Sequence, residues 1–135
     1  MLRVSDDLPV EDLGALLAGV APIRRPGEFV FATVDADAQP SDALATVHED
    51  GRLSCVVAVS TARALGHPTE PVLAWITLQV HSSLTAVGLT AAVATTLAAQ
   101  GIAANVIAGH RHDHVLVPIE LADDALAAIQ ALAQR

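Results

Sequence analysis

The sequence predicts an α+β protein built as two related halves. Short runs of β-forming residues alternate with segments whose apolar residues recur at helical spacing. The chain has 135 residues and is 53% hydrophobic, enough to bury a shared core. Only 2% of it is aromatic, so Ala, Val and Leu must build that core by close approach of small side chains.

Taken in order, Ser5 or Asp6 is placed to cap a first helix over about residues 9–18, with Leu13, Leu16, Leu17 and Val20 at helical spacing. Gly19 ends it, and Pro22 keeps it ended. Arg25-Pro26-Gly27 signals a turn. Residues 28–34 then alternate as a strand, with Phe29, Phe31 and Thr33 on one side. A polar loop over 35–42 leads to two apolar runs, 44–48 and 52–59, around Glu49-Asp50-Gly51. An Asp-Gly between such runs predicts a hairpin. Ser60 is placed to cap a short helix over 61–65, closed by Gly66. The connector from His67 to Pro71 divides a half of residues 1–70 from a half of residues 71–135.

The second half reads strand, helix, strand, strand, helix: 72–80, 84–100, 102–108, 115–119 and 121–134. Trp75, Thr77, Gln79 and His81 form a mixed face of the first strand, suited to meeting a partner surface. Leu89, Val93 and Leu97 make an i, i+4, i+8 ridge on the first helix. Ser82 and Ser83 read as its N-terminus. The last helix carries Glu120, Asp123 and Asp124 near its start and Arg135 at its end, as the helix dipole favours. Element order alone suggests two βαββα units; no sequence repeat is visible.

Charge narrows the partners. The net charge is −8, there is no lysine, and the only basic cluster is Arg24-Arg25, so neither nucleic acid nor an anionic membrane surface is expected. Residues 71–110 contain no charged residue, but polar breaks leave a run of 84–99, short of the roughly 20 apolar residues a membrane span needs. The acidic N-terminus lacks the long apolar run of a signal peptide. The single cysteine, Cys55, fits a reducing, cytoplasmic setting and reads as a buried, inert thiol.

Residues 108–118, AGHRHDHVLVP, draw attention because His110, His112 and His114 occupy alternate positions around Asp113. On a straight strand, His110 and His114 would lie about 13 Å apart. A zinc ion needs each nitrogen at about 2.1 Å. Acid–base pairing along the strand is disfavoured too, because neighbours point to opposite faces. No Gly-x-Ser-x-Gly or P-loop motif is present. The segment reads as a hairpin whose turn runs from Gly109 through Asp113. No catalytic residue, metal or cofactor is expected. The alternative is a metal-binding protein or enzyme built on His110, His112 and His114.

The run HSSLTAVGLTAAVATTLAAQGIAANVIAGHRHDHVLVP (81–118) resembles a bacterial family of ACT-domain proteins, as do GEFVFATV and LATVHEDGRLSCVV upstream. The resemblance implies two ferredoxin-like ACT halves of βαββαβ type, with antiparallel sheets and helices packed on one face. It also implies a regulatory module that binds a small molecule, most often an amino acid, at an interface between units. A homodimer through sheet edges or helices is compatible with it.

The pocket it implies lies at His81, Ser82, Ser83 and Leu84, where a helix start would present N–H groups to a carboxylate. Val87 and Gly88, then Asn105, Val106 and Ile107 on the adjacent strand, and the turn residues His112, Asp113 and His114 complete it. Two departures stand out. The chain stops at Arg135, directly after the helix that a closing strand usually follows, so that strand comes from elsewhere or is absent. The Pro-Gly pair usual after the first strand is reduced to Gly88.

Overall fold

One long strand, β1 (Pro22–Asp35), serves both halves of the computed structural model, which describes residues 8–134. The Arg25-Pro26-Gly27 tract, expected as a turn, is an irregularity inside that strand. Its register against β4 (Leu73–Leu78) shifts between Arg25 and Phe29. Pro26 has no N–H for the ladder, and Gly27 takes a φ of 108°, so the strand bulges without leaving the sheet.

Before the bulge, β1 pairs with β4; beyond it, β1 pairs with β3 (Arg52–Ala58). β2 (Ala45–Glu49) joins β3 through a tight hairpin in which Asp50 and Gly51 take positive φ, 49° and 80°. The Asp-Gly pair suits this two-residue turn, whose backbone twist matches the flanking strands. β6 (Asp113–Pro118) lies against β4, and β5 (Asn105–Ala108) against β6. All pairings are antiparallel, in one six-stranded sheet of order β2-β3-β1-β4-β6-β5. The closing strand of the second half is thus borrowed: Pro22 pairs with Leu78 and Arg25 with Trp75.

Strand alternation sends one set of side chains toward the helices. Ala74, Ile76, Leu78, Val115 and Val117 meet Leu16 of α1 (Leu13–Ala18), the Leu89-Val93-Leu97 ridge of α3 (Leu89–Ala99), and Ala125 and Ile129 of α4 (Ala122–Ala131). A smaller cluster joins Val30, Ala32, Val34, Leu53, Cys55 and Val57 to Ala62 of α2 (Val59–Ala64). Full burial of a Leu, Ile or Val side chain is worth about 1.5–3 kcal/mol, so the larger cluster dominates stability. Burial pushes the Cys55 thiol above its ordinary range, with Asp42 adding to the effect, as an inert core thiol requires. Among the described residues, no helix is long and apolar enough to cross a membrane.

Helix ends differ from expectation for local reasons. Ser5 and Asp6 lie outside the described residues, as does Arg135. The cap of α1 is Asp12, whose Oδ2 accepts the Ala15 N–H at 2.9 Å. α2 follows Ala58, and Ser60 does not cap it. α3 begins at Leu89, not near residue 84, because Gly88 takes a φ of 112° immediately before it. Residues 82–88 are therefore loop, and the helix start moves by about a turn.

Candidate functional site

The 82–88 loop owes its shape to the N-terminal segment. Val10 donates its N–H to the His81 carbonyl at 2.7 Å and accepts the Ser83 N–H at 2.9 Å, forming a parallel bridge. The Ala86 N–H closes onto the Ser83 carbonyl at 3.1 Å. Ser83 Oγ accepts the Thr85 N–H at 3.2 Å, and the Thr85 hydroxyl donates to Glu11 Oε1 at 2.9 Å. Hydrogen bonds from Ser83 and Thr85 hold the Glu11 carboxyl below its usual range. The serines that look like a helix cap are thus occupied in anchoring a loop. Glu11 and Val10 had no local signal in the sequence, since both partners lie some 70 residues away.

Beneath this loop is a pocket of about 420 Å³. One wall is Ser82, Ser83, Leu84, Ala86 and Val87; Gly88, Leu89, Thr90 and Ala91 form a second; Ala108, Gly109 and Asp113 form a third. Gly88 as N-cap supplies no side-chain hydrogen bond. The first helical N–H groups have no partner within their own helix and carry the positive end of its dipole. A Cβ on Gly88 would meet Leu13 Cδ2 at 2.9 Å, so this glycine serves both the positive φ and the close packing of α1.

Asp113 supplies the opposite charge. It is only 7% exposed, and its Oδ2 accepts a hydrogen bond from Ser82 Oγ at 3.3 Å. Burial pushes its carboxyl above the usual range; the Ser82 bond and the neighbouring His114 and His112 oppose this less strongly. The turn that precedes it is tighter than expected. Gly109 donates its N–H to the His112 carbonyl at 2.9 Å, and Ala108 pairs with Asp113, so Asp113 and His114 already belong to β6. A Cβ at Gly109 would lie 2.7 Å from that carbonyl, which reserves the position for glycine.

The structure therefore brings Ser82, Ser83, Leu84, Val87, Gly88 and Asp113 together around one pocket and adds Ala86, Leu89, Thr90, Ala91, Ala108 and Gly109. The added helix residues follow from the displaced start of α3. His81 lies beside the pocket, lining a smaller hollow of about 320 Å³ with Pro9 and His110, and its ring is 6.5 Å from that of His112. His112 does not line the main pocket either, nor do four other expected residues. Val106 packs on the helix-side core, and Ile107 joins a cluster on the opposite sheet face. Asn105 pairs with Leu116 and shares that opposite face.

His114 is there too. Its Nδ1 accepts the Trp75 indole N–H at 3.0 Å and lies 3.0 Å from Thr77 Oγ1. Because the indole can only donate, Nδ1 is the acceptor and the ring proton sits on Nε2. Burial, with help from the charges of His112 and Arg25, lowers the His114 pKa. The alternating histidines are thus held differently: His112 lies in the turn before β6, its ring beside that of His81, and His114 is bound on the strand by Trp75 and Thr77. Among the described residues, no three His, Cys, Asp or Glu side chains converge as a metal-ligand group.

Residues 9–74 and residues 72–132 each match a family model described as an ACT domain. A Vibrio cholerae protein of unknown function, described as a possible transport protein, is 44% identical, with a TM-score of 0.77 over 85% of this chain and 91% of that one. An Agrobacterium tumefaciens protein is similar at 18% identity and a TM-score of 0.55, over 79% of this chain and 84% of that one. The regulatory subunit of aspartate kinase from Thermus flavus shares the fold at 12% identity, with a TM-score of 0.58 over 82% of this chain and 95% of that one. No curated protein matches the chain.

Proposed function

The chain belongs to the ACT-domain family, and from that premise we propose that it is a non-catalytic regulatory module whose pocket takes a free amino acid. The observation that carries this reading is the pairing of opposite polarities across one small pocket. The uncapped start of α3 is on one wall and the Asp113 carboxylate on another. An amino acid has the matching ends: its carboxylate suits the helical N–H groups, and its ammonium suits Asp113. A volume of about 420 Å³ fits a small ligand, and Val87 and Leu84, 82% and 72% exposed, form an apolar rim for its side chain. The fold likeness to the aspartate kinase regulatory subunit supports a regulatory role.

We place the division between the halves near residue 70, with residues 10–25 packing against the second half. A cytoplasmic location is proposed with it, on the strength of the lone buried Cys55.

The test is a thermal-shift panel of the proteinogenic amino acids on the wild-type chain and on Asp113→Asn. At least one amino acid is expected to raise the wild-type Tm; a concentration of 100 times Kd corresponds to about 2.7 kcal/mol. The Asn variant is expected to lose that shift. A panel in which no amino acid moves the wild-type Tm at millimolar concentration would sink the reading.

A further inference from the structure

All three aromatic side chains of this aromatic-poor chain lie on the side of the sheet opposite the helices. The composition has two Phe, one Trp and no Tyr. Phe29, Phe31 and Trp75 sit at strand positions that alternate away from the helix-covered core. Val56, Leu73 and Leu116 form the buried centre of this face, with Phe29, Trp75 and Ile107 packed around them. Phe29 meets Trp75 edge to face at 5.5 Å, and Arg25 lies 5.8 Å over the indole. Arg25 Nε donates to Thr77 Oγ1 at 3.2 Å, so arginine, threonine, histidine and tryptophan form one ordered network. Toward the edge, Phe31 remains 43% exposed and Val47 56% exposed.

We propose that this face packs against the same face of a second copy, around a two-fold axis that crosses β1 near its middle. The charge pattern selects the occupant. The chain carries a net −8, so two copies repel over most of their surface. On this face the charged strand residues are Arg25, Arg52, Asp35 and Glu49, two of each sign, so the excess of acid lies elsewhere. Arg52 is already 3.6 Å from Asp35, and Ser54 donates to Glu49.

Arg25 and Asp35 stand at opposite ends of the same strand, with Phe29 and Phe31 between them. A two-fold axis across that strand lays the Arg25 end of one copy over the Asp35 end of the other and stacks the phenylalanines at the centre. Six strands about 4.8 Å apart, each about six residues long at about 3.3 Å, give a face of roughly 500 Å². Two such faces supply about 1,000 Å² before side-chain relief, just below the roughly 1,200–2,000 Å² of stable complexes and in the range of weak, concentration-dependent ones. Aromatic and arginine anchors at the centre are what such interfaces use.

Sedimentation equilibrium of the full chain, from micromolar to near-millimolar concentration, tests this directly. The wild type is expected to dimerise, and Phe31→Glu to raise the dimer Kd about 30-fold or more. Val47→Glu, nearer the edge, is expected to have a smaller effect, and its exposed position makes misfolding an unsuitable explanation. Arg25→Asp is expected to weaken the dimer, and Arg25→Asp with Asp35→Arg to recover part of the loss, since only a two-fold partner brings these two residues together. Far-UV circular dichroism reports whether each variant is folded. A wild type that stays monomeric overturns the proposal. So does a dimer indifferent to both Phe31→Glu and Val47→Glu, or a charge swap that recovers nothing.

Discussion

The two halves share a strand plan but differ at one connection. In the second half, α3 links β4 to β5; in the first, residues 36–44 link β1 to β2 without a helix. Around α3 the chain forms a pocket with an uncapped helix end and a buried acid. At the corresponding place in the first half, Pro40, Ser41 and Asp42 border a groove against Thr61, Ala64 and Leu65 of the α2 region. There too an acid accepts one hydroxyl, Asp42 from Thr61 as Asp113 does from Ser82, but the connection that carries it holds no helix. The strand frame alone does not create a polar ligand site. The helix is what differs: it supplies N–H groups opposite the acid.

The widest gap between the halves is expected in packing. Leu97→Ala, in the large cluster, should lower stability by about 3 kcal/mol in urea denaturation, whereas Leu65→Ala, exposed on the groove, should stay within about 0.5 kcal/mol. Equal losses would mean that the groove side chain Leu65 is packed as tightly as Leu97. A smaller contrast separates two glycines. Gly88→Ala should cost about 1–2 kcal/mol, from its positive φ and the Leu13 contact, and should weaken any ligand-induced Tm shift. Gly51→Ala, at positive φ in open space, should cost about 1 kcal/mol and leave that shift intact.

Asp113→Asn sharpens the functional side of the comparison. The native carboxyl has its pKa raised by burial, so its charge disfavours the fold. The unfolded chain loses the proton first, and stability falls as pH rises from the ordinary Asp value, about 3.9, through the folded value. The amide should therefore leave the ligand-free Tm at neutral pH unchanged or slightly raised while removing the ligand response.

The smallest expected effect concerns His114, whose pKa is lowered. Above the ordinary histidine value, about 6.5, its contribution is complete; as pH falls from there through the folded value, the unfolded chain takes up the proton first and stability declines. Urea midpoints between pH 7 and pH 5 should drop, and His114→Gln should flatten that slope. An unchanged slope would mean that the Trp75 and Thr77 contacts do not exclude the proton.

Much of the frame was legible because it is local. Period-two alternation marks Phe29, Phe31 and Thr33, and Asp50-Gly51 marks its hairpin. The Leu89-Val93-Leu97 ridge marks the packed side of α3. The site was only half legible. Ser82 and Ser83 have the chemistry of a helix cap, but Val10, Glu11 and Asp113 claim them across the fold. His110, His112 and His114 form a cluster in sequence that the turn before β6 divides, leaving His112 beside His81 and His114 bound to Trp75.

The sequence by itself determined the α+β class, the order of elements, the aliphatic core and the family resemblance, because periodicity and turn chemistry act between near neighbours. Tertiary structure alone decided that Pro22–Arg25 closes the second half, that α3 starts at Leu89, and that Asp113 faces the pocket while His114 faces away. Those outcomes depend on hydrogen bonds and contacts between residues tens of positions apart, whose partners no local pattern specifies.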